Sequence, residues 1–310
     1  MKVIRAGVLG FCKGVRRAVE MARQVSIVKT VKTDETDEAA SSAGTVYTLG
    51  PLIHNSRILE SLEELGVICL EGGEIPAASE NSVVIIRAHG VSPLVEGELA
   101  RRGVTIVDAT CPHVKISQGK ARDFAERGYT VFLAGEENHA EIEGLLGYAQ
   151  DGGLREGQNC FVVVDPLEAA AAAEELCRRT PQAKTVLKTV LIGQTTISRD
   201  EYGAIGEKIR QFFPSLETID SICGATAERQ KALRELCGKV EAVIIAGSRE
   251  SANTQRLLSL ALELGKPAWL AETQADLPAE IGIYKTVGIS AGASTPEDLI
   301  DEIEEALNII

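Results

Sequence analysis

Short apolar runs recur along this chain, each closed by glycine or a few small polar residues and followed by a segment with helical spacing of its apolar positions. Strands are expected within VYTLGPLIHNS (46–56), LGVICLE (65–71) and SVVIIRAHGVSP (82–93), with helical segments such as RILESLEEL (57–65) between them. VTIVDATC (104–111) closes this unit and opens the next. The order then repeats, with strands at YTVFLAG (129–135), CFVVV (160–164), TVLIGQ (189–194) and LETID (216–220). Asp165 and Pro166 read as the cap and first turn of the alanine-rich helix 167–179. A third set comprises AVIIAG (242–247), KPAWLAE (266–272) and TVGISAG (286–292), and the helix PEDLIDEIEEALNII (296–310) ends the chain. That set lacks its last strand, and VIRAGVLG (3–10) is the segment that supplies it.

Strands alternating with helices at this spacing predict parallel α/β units. The expected fold is α/β, with three similar domains in a pseudo-threefold arrangement. Their expected boundaries are 13–110, 111–221, and 222–310 together with 1–12. A polar, acidic stretch, TVKTDETDEAASSAG (30–44), is expected to be an exposed insert or long loop.

One local pattern appears three times: an apolar run, a few small or polar residues, a cysteine, then a polar stretch that turns helical. The copies are VIRAGVLGFCKGVRRAVEMA (3–22), VTIVDATCPHVKISQGKARDFA (104–125) and LETIDSICGATAERQKALREL (216–236). Their cysteines, Cys12, Cys111 and Cys223, are spaced by roughly one hundred residues, too far for a local knuckle such as C-x-x-C. Such spacing suits three units that each bring one thiolate to a common centre. A cysteine at a helix start gains from the positive helix end, which favours thiolate and metal binding. Zinc with three cysteines and a histidine is one reading. Three sulfurs from distant units with no evident fourth ligand better suit a 4Fe–4S cluster with one open iron, a Lewis acid for a substrate oxygen. Cys69, Cys160, Cys177 and Cys237 read as buried small hydrophobes.

In parallel α/β sheets, ligands gather beyond the carboxyl ends of strands. The first strand of each set runs into Gly50, Gly135 or Gly247, and four residues further on stands His54, His139 or Ser251. The third strand runs into loops carrying His89 and Ser92, Thr195 and Ser198, or Ser294. Three of the four histidines thus fall at equivalent loops. With Asn55, Thr196 and Asn253 these side chains form a set of neutral or weakly basic donors suited to phosphate oxygens. Each taken singly also suits a helix cap, and so do Ser294 and Thr295 before Pro296. In NHAEIEG (138–144), Glu141 beside His139 is a candidate proton carrier, and Glu143 complements the helix dipole. His113 has no counterpart in the other copies and reads as local packing, and Trp269 reads as a core anchor.

Composition narrows the partners. The 310 residues are 45% hydrophobic and 25% charged, as in ordinary globular proteins. A net charge of −13 argues against nucleic acid or an anionic membrane, so an anionic ligand must be held by local donors. The chain has no long apolar run and no recognisable signal segment, and seven cysteines without an export signal suggest reduced thiols in the cytoplasm.

The segments GFCKGVRRAV, LGPLIHN, IRAHGVSP, DATCPHV, NHAEIEG, IGQTTIS, ICGATAERQ, GSRESANTQRL and AGAS, in this order along essentially the whole chain, resemble the 4-hydroxy-3-methylbut-2-enyl diphosphate reductases. That resemblance implies three α/β domains around a central 4Fe–4S cluster, one per chain, held by Cys12, Cys111 and Cys223. It implies reductive dehydroxylation of the allylic diphosphate to isopentenyl and dimethylallyl diphosphates, the last step of the non-mevalonate pathway. The substrate hydroxyl meets the open iron, and Glu141 relays protons, with Thr195 and His139 beside it. His54, His89, Ser251, Asn253 and Ser294 match the residues that hold the diphosphate, with Gln194 and Thr226 as neighbours. An external electron donor such as ferredoxin or flavodoxin is implied. Ala252 stands where many members carry a second serine, so one hydroxyl donor is absent and a backbone N–H stands in for it.

Two other readings remain at this stage. Quinolinate synthase also combines three units with a three-cysteine cluster, but its dicarboxylate substrates call for arginine in the loops, where this chain has His, Ser, Thr and Asn. A cluster-bearing redox or iron sensor would need a partner surface and would leave Glu141 dispensable.

Overall fold

The computed structural model describes residues 1–33, 44–70, 82–180, 182 and 186–310. In chain order its main elements are β1 (Lys2–Arg5), α1 (Lys13–Thr33), β2 (Val46–Leu49), α2 (Ser56–Glu64), β3 (Val67–Leu70), β4 (Val83–Ile86), α3 (Pro93–Arg101), β5 (Thr105–Asp108), α4 (Pro112–Glu126) and β6 (Thr130–Ala134). Then follow α5 (Ala140–Asp151), β7 (Cys160–Val163), α6 (Pro166–Arg179), β8 (Thr189–Gly193), α7 (Arg199–Phe212), β9 (Glu217–Thr218), α8 (Gly224–Cys237), β10 (Ala242–Ala246), α9 (Ala252–Glu263), β11 (Ala268–Ala271), β12 (Thr286–Ala291) and α10 (Glu297–Ile309).

These strands form three four-stranded sheets, ordered β3-β2-β4-β5, β7-β6-β8-β9 and β11-β10-β12-β1, and every pairing is parallel. Numbered within its own set, each sheet has the order second, first, third, fourth. The third sheet is completed by the N-terminus: β1 pairs with β12 from Lys2 opposite Thr286 to Arg5 opposite Ile289, as the missing strand of that set required.

The chain divides into two compact units, one of Met1–Glu20, Ile53–Glu64 and Cys223–Ile310, the other of Met21–Leu52 and Leu65–Ile222. The first holds the β11-β10-β12-β1 sheet. Leu299, Ile300, Ile303 and Leu307 of α10 cover one face, and Leu233 and Leu236 of α8 with Leu257 and Ala261 of α9 cover the other. The second unit holds the other two sheets. Across β6 and β8, Ala169, Ala173 and Leu176 of α6 and Ile205 and Ile209 of α7 bury one face, while Phe124 of α4 and Leu145 and Tyr148 of α5 bury the other. Covering both faces explains why the central strands β4, β6, β8 and β10 are buried along their whole length and do not alternate.

Local signals act as read from the sequence. Asp165 caps α6 by accepting from the Leu167 and Glu168 N–H groups at 2.7 and 2.9 Å, with Pro166 in the first turn. Two boundaries differ. Helix α1 continues to Thr33, so the acidic insert does not begin at residue 30, and its remainder from 34 to 43 lies outside the described residues. The strand expected over 216–220 is only Glu217–Thr218. No helix among the described residues is long and apolar enough to cross a membrane.

Phe132 is fully buried on β6, stacked on Phe161 at a 5.3 Å centroid distance and 6.3 Å from Phe213. Phe132→Ala is expected to cost about 3–5 kcal/mol. Leu167→Ala, at a position 77% exposed, should stay within about 0.5 kcal/mol. Urea denaturation of both variants checks the pair.

Candidate active site

Each sheet turns its helix connections at one place. After the first strand the chain moves outward to the second. The third strand then pairs on the opposite side of the first, so loops leave the carboxyl ends of these two neighbours in opposite directions. A crevice opens there, and this is where such folds collect ligands. In the β7-β6-β8-β9 sheet the two loops carry Glu136–His139 and Gln194–Ile197.

His139 is the N-cap of α5, its Nδ1 accepting from the Glu141 N–H at 3.1 Å. That bond assigns Nδ1 as an acceptor and leaves Nε2 to carry the proton of a neutral ring. One residue into the helix, Glu141 is only 1% exposed. Its carboxylate accepts twice from Thr195 across the crevice, from the backbone N–H at 2.7 Å and from the hydroxyl at 2.8 Å. The residue before His139 bends the chain into the helix: Asn138 has φ of 66°. His89, in the loop after β4, meets the His139 ring edge-on with centroids 5.3 Å apart. The structure therefore brings His89, His139, Glu141 and Thr195 together.

In the first unit the equivalent crevice lies at β10 and β12. Ser251 caps α9, accepting from the Thr254 N–H at 3.4 Å. Asn253, 4% exposed, has its Nδ2 buried without a hydrogen-bond partner among the described residues. The Ser294 hydroxyl donates to the His54 carbonyl at 3.0 Å, and that of Thr295 to the Ala246 carbonyl at 3.0 Å. Neither caps α10, contrary to the capping expectation: the cap residue is Pro296, which has no such bond. His54 Nδ1 lies 3.9 Å from Glu250 Oε2, and Asn55 caps α2 through the Ile58 N–H at 3.1 Å. Thr254 packs so closely on the loop that a Cβ on Gly247 would sit 2.9 Å from its hydroxyl oxygen; Gly247 also has φ of 137°. Only glycine suits both demands. Thr226 is buried in the first turn of α8.

All three repeated cysteines stand at helix starts and are half-buried. Cys111 and Cys223 are the N-caps of α4 and α8. Cys12 directly precedes α1, its carbonyl accepting from the Arg16 N–H at 3.0 Å and its sulfur from the Val15 N–H at 3.4 Å. All seven cysteines are free of disulfides. The others differ in kind: burial pushes the Cys160 thiol up to about 12 and raises that of Cys237. Cys69 is not a buried hydrophobe as expected. It is exposed on β3, a strand at the edge of its sheet, where the neighbouring Ile68, which points to the opposite face, is exposed as well.

One other expectation changes. His113, expected to pack locally, is exposed on the first turn of α4. Gln194 engages its amide within its own loops, Oε1 accepting from the Glu136 N–H at 3.0 Å and Nε2 donating to the Thr196 hydroxyl at 2.9 Å. Two arginines escaped the sequence reading. Arg87, at the end of β4, lines a cavity of about 590 Å³ with Val91, Ser92, Ala140 and Glu143, its guanidinium 3.6 Å from Glu143. Arg229, 3% exposed, donates to the Ala225 and Gly10 carbonyls. Arg87 stands within the IRAHGVSP segment, but nothing local in TAERQ distinguishes Arg229 from a surface residue of a polar helix.

The family described as LytB protein matches residues 3–308. The chain is 41% identical to a Treponema pallidum protein named 4-hydroxy-3-methylbut-2-enyl diphosphate reductase, over 99% of this chain and 84% of that one. It is 38% identical to a protein of the same name from Treponema denticola, over 99% of both, and 35% identical to one from Aquifex aeolicus, over 99% and 96%. Among solved structures, that of the Plasmodium falciparum reductase superposes with a TM-score of 0.82 at 27% identity, covering 99% of this chain and 87% of the other. A second reductase structure, described as the terminal enzyme of the non-mevalonate pathway, gives 0.65 at 33% identity over the full length of both.

The loop into Cys111 is braced by charge. Asp108 accepts from the Thr110 N–H at 2.9 Å and lies 3.2 Å from the Lys115 ammonium, which also reaches Glu96 at 2.7 Å. Burial alone would raise the Asp108 pKa, but Thr110 and Lys115 outweigh it and hold it below the usual aspartate value. A depressed pKa contributes stability above the unfolded value of about 4 and loses it as pH falls through the folded value. Asp108→Asn should therefore cost on the order of 1 kcal/mol at neutral pH, with the deficit shrinking below about pH 4. Thermal melts across that range check it.

Proposed function

The chain belongs to the LytB family, and on that premise we propose that it reduces 4-hydroxy-3-methylbut-2-enyl diphosphate to isopentenyl and dimethylallyl diphosphates, the last step of the non-mevalonate isoprenoid route. Two electrons and two protons enter, the allylic C–O bond breaks, and the oxygen leaves as water. The electrons come from an external one-electron donor. The observation that carries this reading is the buried Glu141 carboxylate, oriented by two bonds from Thr195 at the mouth of the crevice.

The cofactor of this reading is a 4Fe–4S cluster held by Cys12, Cys111 and Cys223. The residues fit such a group: three half-buried free thiols at helix starts, and in the first unit a buried guanidinium, Arg229, with its Nε unpartnered. When bound, the cluster supplies electrons and a Lewis-acidic iron with an open position.

The chain's own residues do the rest. Glu141 carries a proton on its carboxylate. The Thr195 hydroxyl, both donor and acceptor, passes it on, and Nε2 of His139 adds a second donor. Ser251, Asn253 and Ser294, with His54 and His89, hold the diphosphate. Asn253 Nδ2 has a donor to give, and the Ala252 N–H is one of the first-turn groups without a helical partner. Neutral donors suit a chain of net charge −13, in which hydrogen bonds to the ionised phosphates do the work that a basic field does elsewhere. Gln194 ties the two loops of the Glu141 crevice, and Thr226 borders Cys223. The same strand order in each sheet supports three domains over 13–110, 111–221, and 222–310 with 1–12. The free cysteines support a reducing, cytoplasmic setting.

Anaerobic protein reconstituted with iron and sulfide should convert the allylic diphosphate to both products with a viologen reductant, and quinolinate precursors should be inert. Product formation without bound iron would overturn the cofactor. Glu141→Gln keeps the acceptor for the Thr195 N–H, so it should retain fold and iron but lose roughly 10²–10⁴-fold in turnover; single-turnover rates near the parent's would end that role. Cys12→Ser, Cys111→Ser and Cys223→Ser should each abolish stable iron loading, whereas Cys69→Ser should load as the parent does.

A further inference from the structure

Arg229 poses a problem of charge. It lies on α8, two turns in from Cys223, and is 3% exposed. One terminal nitrogen donates to the Ala225 carbonyl in its own helix at 2.8 Å, and the other donates to the Gly10 carbonyl, two residues before Cys12. Its Nε is buried with no hydrogen-bond partner, and among the described residues no carboxylate forms an ion pair with it. A buried cation facing two neutral carbonyls is unfavourable unless an anion lies near. Burial pushes the guanidinium below its ordinary pKa, and the groups that pull it back are the Cys12 and Cys223 sulfurs, then Glu228.

Around it the Cys12 loop is built to one shape. Gly10 has φ of +73°, and a Cβ there would stand 3.1 Å from the Ile300 side chain and 3.3 Å from the Thr295 carbonyl. The Cys12 N–H donates to the Ala293 carbonyl at 3.0 Å. The loop is thus held by β12's following loop on one side and by Arg229 on the other.

We propose that Arg229 is a positioning residue and the internal counter-cation of the cofactor site: its fork pins the Cys12 loop to the first turns of the Cys223 helix, and its charge favours the more reduced state of an anionic group held by those two thiolates. The inference rests on the assignment of Cys12 and Cys223 as cofactor ligands. Reduction adds a negative charge to the group, and a fixed cation in a low-dielectric site stabilises that charge more than the oxidised state.

The test uses the full chain reconstituted anaerobically with iron and sulfide, with two readouts: the midpoint potential from a dye-mediated titration followed by electron paramagnetic resonance, and the rate of iron release to a chelator. Arg229→Met removes the charge and the fork together, leaving the Gly10 carbonyl without its donor, and Arg229→Gln is a second neutral variant, with an amide donor, should the first fold poorly. Both should shift the potential to more negative values and release iron about tenfold faster or more, as for loss of a charge-assisted bond. Arg229→Lys keeps the charge but not the fork, so it should hold the parent's potential and still release iron faster. A neutral variant that loads iron and keeps the parent's potential overturns the counter-cation role. Parent-like release from both Arg229→Lys and the neutral variants overturns the pinning role. Failure of the parent chain itself to load a cluster sinks the cofactor assignment, and this inference with it, and is recognised before any variant is made.

Discussion

A parallel sheet ordered second, first, third, fourth has one place where two neighbouring strands send their loops to opposite faces, and no helix fills the gap between them. That constraint is met in all three sheets, and two of the gaps carry the candidate residues described above. Where the gap lies between β6 and β8, the Glu141 carboxylate and Thr195 close on each other across it. Where it lies between β10 and β12, the same positions carry Ser251, Asn253 and Ser294. The scaffold is repeated and the side chains are not, so one crevice carries a buried carboxylate and another carries hydroxyls and an amide.

Burial as a rule obliges a polar group to find a partner. Tyr202 illustrates the rule away from a site: its hydroxyl, raised in pKa by burial, donates between the Leu191 and Ile219 carbonyls at 2.7 and 2.8 Å. Asn253 Nδ2 and Arg229 Nε have no such partners among the described residues. Buried groups left without partners cost stability, and these two belong to elements that carry residues proposed to hold an anionic substrate and an anionic cofactor.

Cysteine makes the same distinction. Cys160 lies inside a sheet, and its thiol is pushed toward the protonated form. Cys12, Cys111 and Cys223 sit where a strand hands over to a helix, half-buried and next to the first free N–H groups. Identical side chains thus meet different surroundings according to where in an element they stand, which is why the three at helix starts are the ones proposed as ligands.

Much of this was legible along the chain, because the signals involved are local. Apolar runs closed by glycine marked the strands, Asp165-Pro166 marked a helix start, and the repeated cysteine pattern marked three equivalent strand-to-helix junctions. Even the return of β1 to the last sheet followed from counting strands per set. Exposure was not legible at Cys69 or His113, since it depends on whether another element covers that face. Nor could spacing tell that Ser294 and Thr295 bond to carbonyls of other segments and do not cap α10. Periodicity and turn chemistry act within a few residues, so the sequence alone determined the elements, their order and the loops that bear the chemistry. The partner of Glu141 and the burial of the Arg229 cation against the Cys12 loop join residues far apart in the chain. Only tertiary packing, which sets distance, dielectric and the available hydrogen-bond partners, decided them.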